Sequence, residues 1–313
     1  MSDIDLSVIV PIKNVEANIE SIISLIADKC CNMRFEIIIT DLNSADDSVG
    51  AAFDAFDRLR IPGTVIHCGS DVPGCALNCG MDKANGKYVT FIFPRRLFVD
   101  CIDSYFCDIE KKKADLIFAS APFAREKSVV FTDNSSMSDI FDAVMYGKVK
   151  CDIASMMVSL SFLRHNNIHF SESLTHGYSD DFISKVLIKC SSAVVSTLSP
   201  ERCAKYEAPK STAERINESM RFERLDAAET LIKYATADVK DNKHKQKVLI
   251  EEKIPATVLA CIDALLAERY TVNAIKNALK KNNHDSLLRV GRYTSPKTRR
   301  KIIMWRLTPH LYK

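Results

Sequence analysis

The sequence predicts an α/β protein: a mostly parallel sheet with helices on both faces, followed by a helical C-terminal region. Three observations carry that reading. Four runs, 6–12 (LSVIVPI), 35–40 (FEIIIT), 64–68 (TVIHC) and 88–93 (YVTFIF), are mainly apolar rather than alternating. Such runs mark strands buried on both faces. Between them lie stretches 15–29, 45–59 and 74–84. The first carries Ile19, Ile22, Ile23 and Ile26 at helical spacing, the second Val49, Phe53 and Phe56. Strand–helix alternation of this kind is the pattern of right-handed crossovers in a parallel sheet. Finally, strand signals stop after Pro209, and 212–235, 246–268 and 272–281 read as helices, with Pro255 an expected kink or break.

Between these regions the pattern loosens. Segments 114–120, 128–132, 153–159 and 193–198 read as strands, and 137–146 and 180–189 as helices. The predicted organisation is a ligand-binding half over 1–112, a second half of the same domain over 113–210, and a helical region over 211–313.

Composition is that of a globular protein with a full core: 47% hydrophobic and 27% charged residues. A net charge of +3 gives no case for nucleic acid, and no aromatic platform accompanies it. The basic excess sits at the end, where 288–313 holds eight Lys or Arg and no acid. This tail also carries Ile302, Ile303, Met304, Trp305 and Leu307. Two readings stand: docking on an anionic membrane, or a helix packing its apolar face on the rest of the protein. Residues 212–283 have two candidate roles, self-association or shaping a substrate site. No apolar run reaches transmembrane length, and acids precede the first apolar run, which argues against a signal peptide. The expected location is cytoplasmic, at the inner face of the cell membrane under the first of those two readings of the tail. Eleven cysteines, odd in number and without a C-x-x-C pair, read as reduced thiols rather than disulfides or zinc ligands.

Four blocks, in order, carry a resemblance: LSVIVPIKNVEANIESIISLI, FEIIITDLNSADDS, GCALNCGMDKANGKYVTFIF and FLRHNNIHFSESLTHGYSDDFISKVL. Together they resemble the inverting family-2 glycosyltransferases over about residues 5–210. The resemblance implies the GT-A fold, a nucleotide-sugar donor (a UDP-sugar by commonest usage) and a glycan or lipid-linked acceptor. It also implies that the turn from Pro11 to Asn14, with Asn78, borders the nucleotide. Asp41 would recognise the base, since a carboxylate accepts an imide N–H; a loop cap is the structural alternative.

The departures from the family are informative. Its Asp-Asp-Gly-Ser is Asp41-Leu42-Asn43-Ser44 here, and its Ala-Arg-Asn is Ala76-Leu77-Asn78. Its metal-binding Asp-x-Asp is Phe93-Pro94-Arg95, followed by Arg96. With those carboxylates absent no metal cofactor is expected. Arg95 and Arg96 become candidates for stabilising the diphosphate, because guanidinium carries permanent charge and pairs bidentately with phosphate. The catalytic base falls at the helix opening Gly177-Tyr178-Ser179-Asp180-Asp181, as Asp180 or Asp181, although Asp at a helix start is also a good cap. His176 beside them is a candidate for positioning substrate. The alternative to an enzyme is a non-catalytic member of the fold, acting as a binding or partner subunit.

Overall fold

Strand β1 (Leu6–Ile12) is buried at every position because it lies in the sheet between two parallel neighbours. These are β2 (Phe35–Asp41) and β4 (Tyr88–Phe91). The computed structural model describes residues 3–119, 131, 135–198, 218–238 and 242–312. Beyond β2 lies β3 (Gly63–His67). On the far side of β4 come β6 (Met156–Ser159), β5 (Leu116–Ala119) and β7 (Ala193–Ser196), giving the order β3-β2-β1-β4-β6-β5-β7. Only β6 runs against its neighbours.

The pleat divides the apolar strand residues between two cores. Val8, Val10, Ile37 and Ile39 face α1 (Ile19–Lys29), α2 (Ser48–Leu59) and α4 (Ile102–Lys112). Ile9, Ile38 and Phe91 face the other way, towards α3 (Pro73–Lys83) and the C-terminal helices. The predicted helix over 45–59 starts at Ser48 because the Asp47 carboxylate accepts from Gly50 N at 3.2 Å. Helices α5 (Met137–Met145) and α7 (Tyr178–Lys189) match expected segments, and a short α6 (Leu160–His165) follows β6. The expected strand over 153–159 starts instead with a 3₁₀ turn, Ile153–Ser155. Most of the strand expected over 128–132, the boundary near 210 and the start of the helix over 212–235 lie outside the described residues.

The C-terminal region comprises α8 (Glu218–Asp238), α9 (Lys243–Val248), α10 (Ile254–Ala267), α11 (Val272–Lys281) and α12 (Pro296–Leu307). The expected break at Pro255 is not a break. Helices α9 and α10 are joined by one π turn, Leu249–Lys253. Proline has no N–H for the Glu251 carbonyl four residues back, and the Thr294 hydroxyl donates to that carbonyl instead, at 2.7 Å.

Lys245 ties this region to the α/β domain. Its buried ammonium donates to the carbonyls of Leu187, Ile188 and Cys190 at 3.1, 2.9 and 3.3 Å. A cation thus caps the C-terminus of α7, where the helix dipole favours it. In α12, Ile302 and Trp305 are buried, and Trp305 meets the Tyr312 ring edge-on at 5.5 Å. The tail therefore packs as a helix, and its tryptophan belongs to the core.

Candidate active site

Parallel strands align their carboxyl ends along one edge, and ligands of α/β sheets bind there. The register places Ile12, Asp41 and His67 side by side at that edge. Pro11 is buried within β1. Asn14, at φ 53°, links two edge loops: its N–H donates to Ser44 Oγ at 3.0 Å and its Oδ1 accepts from Ala45 N at 2.7 Å. Asp41 is sealed, its side chain 2% exposed. Ser44 N donates to it at 3.2 Å, and His67 Nδ1 lies 2.9 Å away. Burial and the neighbouring Cys79 push the pKa of the nearby Cys68 thiol up to about 12. The ten described cysteines are all free, five of them buried.

Asn78 holds a structural position. Its side chain clamps one peptide backbone: Nδ2 donates to Phe170 O at 3.1 Å and Oδ1 accepts from Phe170 N at 2.9 Å. A further donation reaches Glu172 at 2.9 Å. One turn earlier Gly74 leaves room for the same segment, since a Cβ there would overlap Ser171 O. Helix α3 is thereby locked to the segment leading to α7.

Arg95 and Arg96 lie on a tight turn just past β4, closed by Arg96 N donating to Phe93 O at 2.7 Å. The two arginines differ. Arg96 Nη2 donates to Asp152 at 2.6 Å and lines a cavity of about 750 Å³. Arg95 is exposed on the turn and is not part of that lining. Asp180 and Asp181 separate in the same way. Asp180 faces the cavity, its side chain 46% exposed. Asp181 is fully buried, 2.6 Å from Lys185 one turn on.

The cavity gathers four cations, Arg96, Lys150, Arg224 and Lys253, around Asp152 and Asp180. Arg224 pairs with Asp180 at 3.0 Å and Lys253 approaches to 3.9 Å. Lys150 lies 3.4 Å from Asp152. Burial would raise the Asp180 carboxyl pKa, but Lys253, Arg224 and Lys150 outweigh it and hold it below the usual value. The same contest at Asp152 is won by Arg96, with help from the Ala154 N–H and Lys150. At Asp181 burial wins over Lys185 and the carboxyl is raised.

The C-terminal helices build part of this wall. Arg224 comes from α8 and Lys253 from the π turn, a helical defect often found at functional sites. Gly177 permits the close approach of α8: it has φ 84°, and a Cβ there would lie 3.1 Å from Arg224 Cα. His176 lines the cavity, and its N–H donates to Glu223 of α8 at 2.9 Å. Sequence reasoning did not find Lys150, Asp152, Arg224 or Lys253.

The resemblance would put metal-holding carboxylates at the end of β4, and the side chains there do not fit a divalent cation. That position is occupied by Phe93, Pro94 and Arg95, and the two cavity carboxylates are already paired with cations. Among the described residues no three His, Cys, Asp or Glu side chains are gathered as a metal site.

Comparison with solved structures defines the fold class. S. aureus TarS 1–349 in complex with UDP-GlcNAc superposes with a TM-score of 0.68, covering 96% of this chain and 87% of that one at 17% identity. A longer S. aureus TarS structure gives 0.53 at 17% identity, over 79% of this chain and 42% of that one. Mannosyltransferase PcManGT from Pyrobaculum calidifontis, in complex with GDP-Man and Mn²⁺, gives 0.52 at 14% identity over 98% and 86%. The fold is GT-A. Residues 7–92 match the family model described as Glycosyl transferase family 2. No curated protein matches it.

Proposed function

We propose that this chain is an inverting glycosyltransferase that moves a sugar from a nucleotide diphosphate to a glycan or lipid-linked acceptor without a divalent metal. The observation that carries this reading is one cavity presenting Asp180 together with four cations. Asp180 accepts the proton of the acceptor hydroxyl as its oxygen attacks the anomeric carbon. The bond to the diphosphate breaks on the opposite face. Negative charge builds on the leaving oxygen, and Arg96, with Lys150 and Lys253, stabilises it in a partly water-excluded site. Arg224 and Lys253 also keep Asp180 ionised and ready to accept a proton. The donor is a uridine nucleotide: Asp41 accepts the imide N–H once the exposed His67 swings aside, and TarS, one of the neighbours with the same fold, was solved with UDP-GlcNAc.

Proton NMR of reactions with α-linked UDP- and GDP-sugars, offered glycan and lipid-linked acceptors, tests this reading. A β-linked product is expected. An α-linked product excludes inversion, and no consumption of any donor supports the non-catalytic alternative.

A further inference from the structure

Helix α12 buries Thr298, Ile302 and Trp305 at helical spacing. Its opposite side carries Arg300, Ile303 and Leu307, again at helical spacing. Ile303 is 47% exposed and Leu307 76%, and Leu311 just beyond the helix is 62% exposed. Single exposed leucines are ordinary; Ile303 and Leu307 on one helix face, with Leu311 exposed just past the helix end, are not. They form most of the large apolar side chains exposed among the described residues.

Basic residues flank the stripe. Lys297, Arg299, Arg300 and Arg306 are exposed, and no acid occurs between 288 and 313. Some of this charge is engaged: Lys301 pairs with Asp263 at 2.6 Å, and Arg299 donates to Gly291 O at 2.7 Å. Lys297 and Arg300 have no counter-ion among the described residues. Helix α11 extends the basic field with Lys276, whose ammonium lies 5.8 Å from the Trp305 ring.

A helix with a polar cationic flank and an unpartnered apolar stripe suits the boundary between headgroups and acyl chains. A second copy would bring like charges together, and a nucleic acid would leave the apolar stripe wet. We propose that α12 lies in the plane of an anionic lipid surface, with Ile303, Leu307 and Leu311 inserted and Lys297 and Arg300 among the headgroups. The buried Trp305 takes no part.

The placement has a consequence for the cavity. Helix α12 packs on α10, and α10 lines the cavity through Thr257, Ala260 and Ala264. Docking therefore holds the cavity about one helix spacing, ~10 Å, behind the lipid-facing layer. It stands whether or not the cavity transfers sugar.

Co-sedimentation of the full chain with phosphatidylglycerol-containing vesicles, against pure phosphatidylcholine, tests the proposal. Binding is expected only with the anionic lipid and should weaken with salt. The K297Q/R300Q variant should bind about thirtyfold more weakly, from about 1 kcal/mol per charge. The I303S/L307S/L311S variant should lose binding with an unchanged melting temperature. Three results would overturn the proposal: no sedimentation of the wild type, equal binding by the triple variant, or a wild-type dimer that this variant dissociates without any vesicle binding.

Discussion

Asp180→Asn lowers sugar transfer by about 10³-fold, the typical contribution of a positioned general base, and leaves nucleotide affinity nearly unchanged. The carboxylate faces the cavity, and asparagine keeps its shape while losing the ability to take a proton. Asp181→Asn gives the contrasting result. Asp181 is buried against Lys185, so its substitution acts on folding, and transfer per folded molecule stays close to wild type. Initial rates beside donor titrations separate the two. The pH dependence follows from the cations around Asp180. The active form is the ionised carboxylate and its pKa is lowered, so activity should persist as pH falls through the ordinary aspartate value of about 3.9. It is lost only below that, provided the fold survives. An acid limb centred near pH 6 would assign the base elsewhere.

Arg96→Ala weakens binding of a nucleoside diphosphate by roughly 10- to 100-fold, since a hydrogen bond to a charged group contributes about 1.5–3 kcal/mol. Arg95→Ala has a much smaller effect, because Arg95 is not among the residues lining the cavity. The double variant should resemble Arg96→Ala alone. Equal losses in both single variants would show that the turn rearranges on binding and that both guanidiniums reach the phosphates. Wild-type affinity in the double variant would remove the arginines from the account.

The centre of the sheet was legible in the sequence because β1 and β4 are buried at every position and read as apolar runs, whereas edge strand β3 is largely exposed. Helix α4 was missed, although Ile102, Tyr105 and Ile109 lie on one face; the polar residues between them diluted the period. The role of Asn78 was not legible, since a clamp on the Phe170 backbone depends on a segment more than ninety residues away. Arg224 and Lys253 were hidden for a similar reason: on helices they read as solvated surface, and only the packing of the C-terminal helices on the α/β domain turns them towards Asp180. One signal was present but unused. Asp181 and Lys185 stand four apart on one helix, the spacing of a local ion pair, and that spacing alone separates Asp181 from its neighbour.

Replacement of a metal by cations is the central claim, and calorimetric titration of UDP into the purified protein tests it most directly. The titration is run with Mn²⁺ and again with EDTA. The account predicts the same affinity in both, lowered by Arg96→Ala in both. Binding that appears only with Mn²⁺ would contradict it and would mean that other ligands hold the metal.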